Sequence, residues 1–154
     1  EEMRAHGVAA AIAQINISVS PRRHTLRGMH FQVAPHEETK VVRCTRGRIF
    51  DVVVDLRAGS ASYRRWIGVE LDALDGGSLV VPPGCAHGFL TLTDDCEVMY
   101  GASVPYAPSS ARGVRFDDPE LAIEWPAAPA VVSAADRQWP LLAPAQTLNE
   151  RQAN

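Results

Sequence analysis

Few residues in this sequence can move a proton near neutral pH, and their neighbours separate them into two groups. Five histidines occur: His6, His24, His30, His36 and His87. Imidazole is the one side chain whose unperturbed ionisation falls between pH 5 and 8, so it serves as a general base and as a metal ligand. A lone histidine is more often a surface or satisfied core residue. Three of the five read that way: His6 and His36 sit in polar or loop contexts, and His24 follows Arg22 and Arg23. His30 and His87 differ. Each stands close behind a glycine, in Arg27-Gly28-Met29-His30-Phe31-Gln32 and in Gly84-Cys85-Ala86-His87, and each falls in a run with strand texture. A base in such a run works only if the fold aims it into a cavity, so the elements that carry these two residues come next.

The texture is that of an all-β chain. Gln14, Asn16 and Ser18 alternate with Ile15, Ile17 and Val19, a period of two that gives one polar and one apolar face. The polar face is amide-rich, which suits a solvated cavity better than plain surface. Strands are expected over 25–32, 40–45, 48–56, 63–71 and 78–81, with 87–93 and 97–103 forming a hairpin around Thr93-Asp94-Asp95. Val52-Val53-Val54 is β-branched, as sheets prefer. Turns are expected at Arg46-Gly47, Asp75-Gly76-Gly77 and Pro82-Pro83-Gly84. Glu1–His6 could open as a short helix. From Val104 the chain becomes Pro-rich and reads as a tail wrapping the domain, with 145–154 frayed. Many short strands at even spacing indicate a sandwich or barrel in one domain over 1–154.

Composition narrows the function classes. The 154 residues carry 15 Lys plus Arg against 18 Asp plus Glu, a net charge of −3, and the arginines are scattered. This lacks the basic footprint of a nucleic-acid binder. No apolar run approaches the ~18 residues of a membrane span, and no basic-then-apolar leader is visible. Cys44, Cys85 and Cys96 are odd in number and lack CxxC spacing, so neither a disulfide framework nor a structural zinc site is expected. Cys44 and Cys96 read as core thiols of a cytoplasmic protein.

The spacing of Gly76, Pro82, Gly84 and His87 resembles the second half of the metal-cupin signature, whose β-barrel mouth holds a metal on three histidines and a glutamate. In the first half the counterparts here are His30, Gln32, Lys40 and Gly47. One ligand histidine is thus Gln32, and the glutamate is Lys40. A charged ammonium offers no lone pair and repels a cation. The architecture is kept while the metal cage is lost, and no metal or cofactor is expected. A fixed ammonium in a dry barrel mouth is an oxyanion stabiliser, and a neutral histidine beside it is a base. Together they suit proton abstraction next to a carbonyl.

Longer stretches sharpen this. Gln14-Ile-Asn16, Leu26-Arg-Gly-Met-His30-Phe-Gln32, Lys40-Val-Val-Arg43, Gly47 to Arg57, Val81 to Phe89, Tyr100, Tyr106-Ala-Pro108, Phe116-Asp-Asp-Pro119, Ile123-Glu-Trp-Pro126 and Ser133-Ala-Ala-Asp136 follow one another in an order that closely resembles the dTDP-4-dehydrorhamnose 3,5-epimerases and related dTDP-sugar epimerases. The resemblance implies a cupin-type jelly roll, a homodimer, and cofactor-free epimerisation at C3 and/or C5 of a dTDP-linked 4-keto-6-deoxy sugar. It implies His30 as the base, Asp136 as its dyad partner, and Lys40 steadying the enolate oxygen with His87 nearby. Tyr100 is similar to the acid on the opposite face, and Tyr106 to the aromatic that stacks on thymine. Arg27, Gln14 and Asn16 fall where the family contacts the nucleotide diphosphate and base.

Read without the family, several of these residues keep plainer roles. Tyr100 could be a core aromatic, Tyr106 a turn anchor, and Lys40 a solvated residue at a strand start. Asp136 could belong to a helix start capped by Ser133. Asp51 and Asp55 are tempting carboxylates in the Val-rich strand, but Asp55 with Arg57 reads as a structural ion pair. The resemblance also implies a segment ahead of Glu1 whose Arg and Glu reach the partner subunit's nucleotide, and this sequence is expected to lack it. Ser109-Ser110-Ala111 has no acidic residue, Ala135 stands where the family often has Lys, and Gly101 replaces a larger polar residue. These departures touch binding more than catalysis. They leave open a different sugar, C3-only epimerisation, another nucleotide, and a non-catalytic sugar-nucleotide-binding cupin.

Overall fold

Residues 11–143 are described by a computed structural model, in which the alternating runs become strands. In chain order these are β1 (Gln14–Ser20), β2 (Thr25–Gln32), β3 (Lys40–Arg46), β4 (Arg48–Asp55), β5 (Trp66–Asp72), β6 (Leu79–Val81), β7 (Cys85–Thr91), β8 (Cys96–Ala102), β9 (Ala111–Gly113) and β10 (Val131–Val132), followed by a short helix, α1 (Ala134–Gln138). They form a four-stranded sheet in the order β1-β8-β3-β6 and a six-stranded sheet in the order β10-β2-β7-β4-β5, with β9 also on β2. All pairings are antiparallel except β10 on β2. This is the expected cupin-type jelly roll. Glu1–His6 and 145–154 lie outside the described residues.

Two layers of apolar packing explain the sequence pattern. Val42, Cys44, Val81, Cys96 and Val98 meet Ile49, Val53, Leu71, Cys85 and Phe89 between the two sheets. Val52, Val54, Ala86 and Met29 face the other way and are covered by Val114, Leu121, Ile123 and Trp125 of the Pro-rich tail. Val52-Val53-Val54 in β4 therefore reads as a continuous apolar run, because water reaches neither face of the strand there. Cys44 and Cys96 are core residues, as expected.

The strand boundaries agree with expectation to within a few residues, but one connection does not. The expected hairpin of 87–93 with 97–103 is absent: β7 pairs with β2 and β4, whereas β8 pairs with β1 and β3. The turn around Asp94 carries the chain from one sheet to the other. Asp95 takes a positive φ of 52° there, and Asp94 accepts a hydrogen bond from the Arg23 backbone N–H at 2.8 Å. Gly47 makes the same change of sheet between β3 and β4, with φ 78° and no room for a Cβ beside Thr93 Oγ1 and Cys96 Sγ. Local turn residues look alike whether a turn folds a strand onto its neighbour or carries it across the barrel. The start of β5 also falls later than expected, because residues 61–64 form a turn with Arg64 at φ 65°. Among the described residues no helix is long and apolar enough to cross a membrane.

Candidate active site

The site begins with an irregularity in β2. Between Arg27 and His30 the pairing of β2 with β7 shifts register, and Gly28 sits there at φ 125°. A Cβ at Gly28 would lie 2.5 Å from Gly88 Cα and 2.8 Å from the His87 carbonyl oxygen, so the backbones approach more closely than any side chain permits. Past this point His30 stands opposite His87. The two histidines singled out in the sequence are thus brought together by a glycine contact.

Each histidine has its own carboxylate. His30 Nε2 lies 2.6 Å from Asp136 Oδ1. Asp136 is buried, and its N–H is accepted by the Ser133 hydroxyl at 2.9 Å, so the helix-start contact and the contact to His30 coexist. Burial alone would raise the Asp136 carboxyl. The hydrogen bond and charge of His30, the Ser133 hydroxyl and the Gly28 N–H outweigh it and hold the group below the usual carboxylate range. With Nε2 donating to Asp136, Nδ1 is the ring nitrogen left to take a proton. Trp139 packs edge-on against the His30 ring at 6.2 Å between centroids. His87 Nε2 lies 2.6 Å from Asp51 Oδ1, and Asp51 is fully buried with Oδ2 unpartnered among the described residues.

The opposite wall comes from the four-stranded sheet. Lys40 opens β3 but is buried rather than solvated: its Nζ lies 3.0 Å from Glu38 Oε1 and 3.4 Å from the His30 carbonyl oxygen. Tyr100 on β8 stands between Asn16 of β1 and Val42 of β3. Burial, with the Glu38 charge second, raises its phenol above the ordinary tyrosine value, against a lowering by Arg27. The phenol is therefore a proton donor throughout the physiological range.

Around these groups lies a cavity of about 680 Å3 lined by Gln14, Asn16, Arg27, His30, Lys40, His87, Tyr100 and Tyr106, with Phe31, Phe89 and Trp139 as apolar wall. Eight of the nine residues proposed from sequence line it, and the ninth, Asp136, stands behind His30. A volume of this order suits a ligand of drug-like size or larger. The two amides serve the scaffold as well as the space. Gln14 donates to Asn16 Oδ1 at 2.8 Å and accepts the Tyr106 N–H at 2.9 Å, anchoring the loop that presents the exposed Tyr106. Gln32 accepts the Ala107 N–H at 2.6 Å. Among the described residues Arg27 makes only long contacts, 3.4 Å to Ser20 Oγ and 3.3 Å to the Val19 carbonyl, and keeps donor capacity. Among the described residues no three of His, Cys, Asp and Glu converge as a metal cage.

Three residues lining the cavity were not singled out in the sequence, Glu38, Trp139 and Arg112, and Asp51, noted there as a tempting carboxylate, was given no partner. A signal existed for Asp51, since a carboxylate inside a Val-rich buried strand needs a partner. Val53 is the register partner of His87, so Asp51 is its diagonal neighbour on the same face. Asp55 is the structural ion pair expected, accepting from Arg57 at 2.8 and 2.9 Å and from the Ser60 and Ser62 hydroxyls at 2.6 Å.

Comparison with known proteins gives one family. A family model described as dTDP-4-dehydrorhamnose 3,5-epimerase matches residues 1–144. The chain is 46% identical over 115 residues to the dTDP-4-dehydrorhamnose 3,5-epimerase of Sinorhizobium fredii, covering 75% of this chain and 59% of that protein. It is 42% identical over 135 residues to the dTDP-4-dehydrorhamnose 3-epimerase of Streptomyces niveus, covering 88% and 65%. The crystal structure of the Bacillus anthracis dTDP-4-dehydrorhamnose 3,5-epimerase with TDP and PPi bound superposes with a TM-score of 0.89 at 40% identity, covering 92% of this chain and 81% of that one. The chain spans about three fifths to two thirds of the length of these two curated relatives.

Proposed function

The chain belongs to the dTDP-4-dehydrorhamnose 3,5-epimerase family, and from that membership and the geometry of its cavity we propose that it epimerises a dTDP-linked 4-keto-6-deoxy sugar at C3 and/or C5, without a cofactor, through an enolate. The observation that carries this reading is the distribution of proton-transfer groups. The His30–Asp136 pair comes from the six-stranded side and the protonated Tyr100 from the four-stranded side of one cavity. Inverting a carbon requires a base on one face and an acid on the other.

The reaction follows from that layout. His30 Nδ1 removes the proton on the carbon next to the C4 ketone, and the electron pair moves into the carbonyl oxygen. Asp136 holds the tautomer and stabilises the imidazolium. Lys40 donates to the enolate oxygen, with His87 beside it. Tyr100 then delivers a proton to the opposite face of the same carbon, after which solvent reprotonates the phenol and takes the proton from His30. C3 and C5 both flank the C4 ketone, so one set of groups serves either centre. Arg27 suits a diphosphate oxygen, Tyr106 offers an exposed ring for the thymine, and Gln14 and Asn16 line the same end. The relatives named as a 3,5-epimerase and a 3-epimerase leave both extents of reaction within the family.

The working unit we propose is a cytoplasmic homodimer. Edge strand β1 turns its polar residues to the cavity and leaves Ile15 and Ile17 65% and 63% exposed beside Val19, an apolar stripe that a second copy would cover. The three free thiols fit a reducing compartment.

Incubation with dTDP-4-keto-6-deoxyglucose in heavy water tests the activity. Deuterium at C3, or at C3 and C5, is expected, and uptake at C3 alone defines a mono-epimerase. No uptake at either carbon overturns the reading. A monomer by sedimentation at micromolar concentration would overturn the dimer.

A further inference from the structure

Glu38 is a carboxylate inside the cavity that none of the roles above uses. Its side chain is 9% exposed and that of Lys40 is 10% exposed, with Glu38 Oε1 3.0 Å from Lys40 Nζ. Its other oxygen, Oε2, accepts from Gln32 Nε2 at 3.3 Å. The orientation of that amide is set by the backbone, because Gln32 Oε1 accepts the Ala107 N–H at 2.6 Å and Nε2 must then turn to its acceptors, among them the His36 carbonyl at 3.1 Å. A directional path thus runs from a loop N–H through Gln32 and Glu38 to the only lysine in the sequence.

We propose that Glu38 is a positioning residue: anchored by Gln32, it fixes the Lys40 ammonium so that one N–H is committed to the carboxylate and another stays available to the enolate oxygen. This rests on the epimerase reading of the cavity. A lysine reaches its target through four flexible carbons and cannot hold an aim unaided, and a buried ammonium without a partner is costly. The neighbouring carbonyl of His30, at 3.4 Å, is too long to serve as the main anchor. Among the described residues, the other charged or titratable groups lining the cavity, His30, His87, Tyr100, Tyr106, Arg27 and Arg112, include no second carboxylate that could replace Glu38.

Two readouts test this, one of them independent of turnover. Because Lys40 is the sole lysine, protein labelled with 15N-lysine shows one side-chain ammonium resonance, which in Glu38→Gln should shift and broaden. In the heavy-water assay the same variant should lose about 10- to 100-fold in kcat, less than or equal to the loss of one oxyanion donor, with KM changed by under about threefold. In a Lys40→Ala background the same substitution should cost no more than about twofold, the limit of independent effects. An ammonium resonance unchanged in Glu38→Gln, or a full loss in the Lys40→Ala background, overturns the proposal; the latter would mean that Glu38 acts on substrate directly. If Glu38→Gln does not fold, Glu38→Asp keeps the charge but shortens the reach, and should shift the same resonance. If the wild-type protein takes up no deuterium, the epimerase reading falls while the ammonium resonance still decides whether Glu38 holds Lys40.

Discussion

Replacing Asp136 with asparagine removes a charge from behind His30 and almost no volume, so it isolates the electrostatic part of the proposed dyad. The N–O contact of 2.6 Å puts the charge centres of imidazolium and carboxylate about 4 Å apart. The His30 side chain is 44% exposed, so solvent screens the pair and an effective dielectric near 20 is appropriate rather than a dry-interior value. At that dielectric the attraction is about 4 kcal/mol, or about a thousandfold in the rate of a step that creates the imidazolium. The asparagine amide can also turn its NH2 toward Nε2 and force the proton onto Nδ1, which then cannot act as base. The expected result is a fall of about 10^3 in kcat for deuterium uptake next to the ketone, with KM nearly unchanged because Asp136 does not line the cavity. The assay is proton NMR of dTDP-4-keto-6-deoxyglucose in heavy water, with thermal unfolding as the check on folding. A loss below about tenfold in a folded variant, when the predicted penalty is about a thousandfold, would refute the assignment of His30 as the base that gains charge.

Three further perturbations read other parts of the structure. Tyr100→Phe removes the donor on the four-stranded wall while leaving the base: deuterium exchange should persist and inversion should fall by about 10^2- to 10^4-fold, so equal losses in both would argue against Tyr100 as the acid. Arg57 first, then the Ser60 and Ser62 hydroxyls, hold the Asp55 carboxyl far below its usual range against the opposing effect of burial. A depressed folded pKa contributes stability above the unfolded value of about 4, and that contribution is lost as pH falls through the acid range. Asp55→Asn should therefore cost about 2 kcal/mol at pH 7, and the penalty should shrink only gradually below about pH 4 because the folded carboxyl stays ionised well into acid, as read by urea unfolding, with the turnover of folded protein unchanged. Gly28→Ala should destabilise by at least about 2 kcal/mol, because its Cβ would meet Gly88 Cα at 2.5 Å, and residual folded protein should show lower kcat from misplacement of His30 and His87.

Much of this molecule could be read from its residues in order. Period-two alternation located β1, and β-branched runs bounded by glycine and proline located β2 to β8 to within a few residues, because strand geometry and turn chemistry act over neighbouring positions. The substitution of Gln32 and Lys40 into a ligand pattern pointed to a cavity without a metal cage and to His30 as a base, since charge and lone pairs belong to residue type. Which sheet each strand joins was not local information. The turn at Asp94 looks like a hairpin turn in sequence and instead carries the chain across the barrel. The same holds for the partners of the charged groups. Asp51 is paired with His87, and Asp136 with His30, across 36 and 106 residues. Glu38 lies two positions from Lys40 in the chain, yet two residues at a strand start need not touch. Their contact depends on Gln32 and the Ala107 loop arriving from elsewhere. Residue type determined what each group can do. Burial and the register of β2 on β7 decided which groups meet, because a desolvated charge is held only where the packed fold brings it a partner.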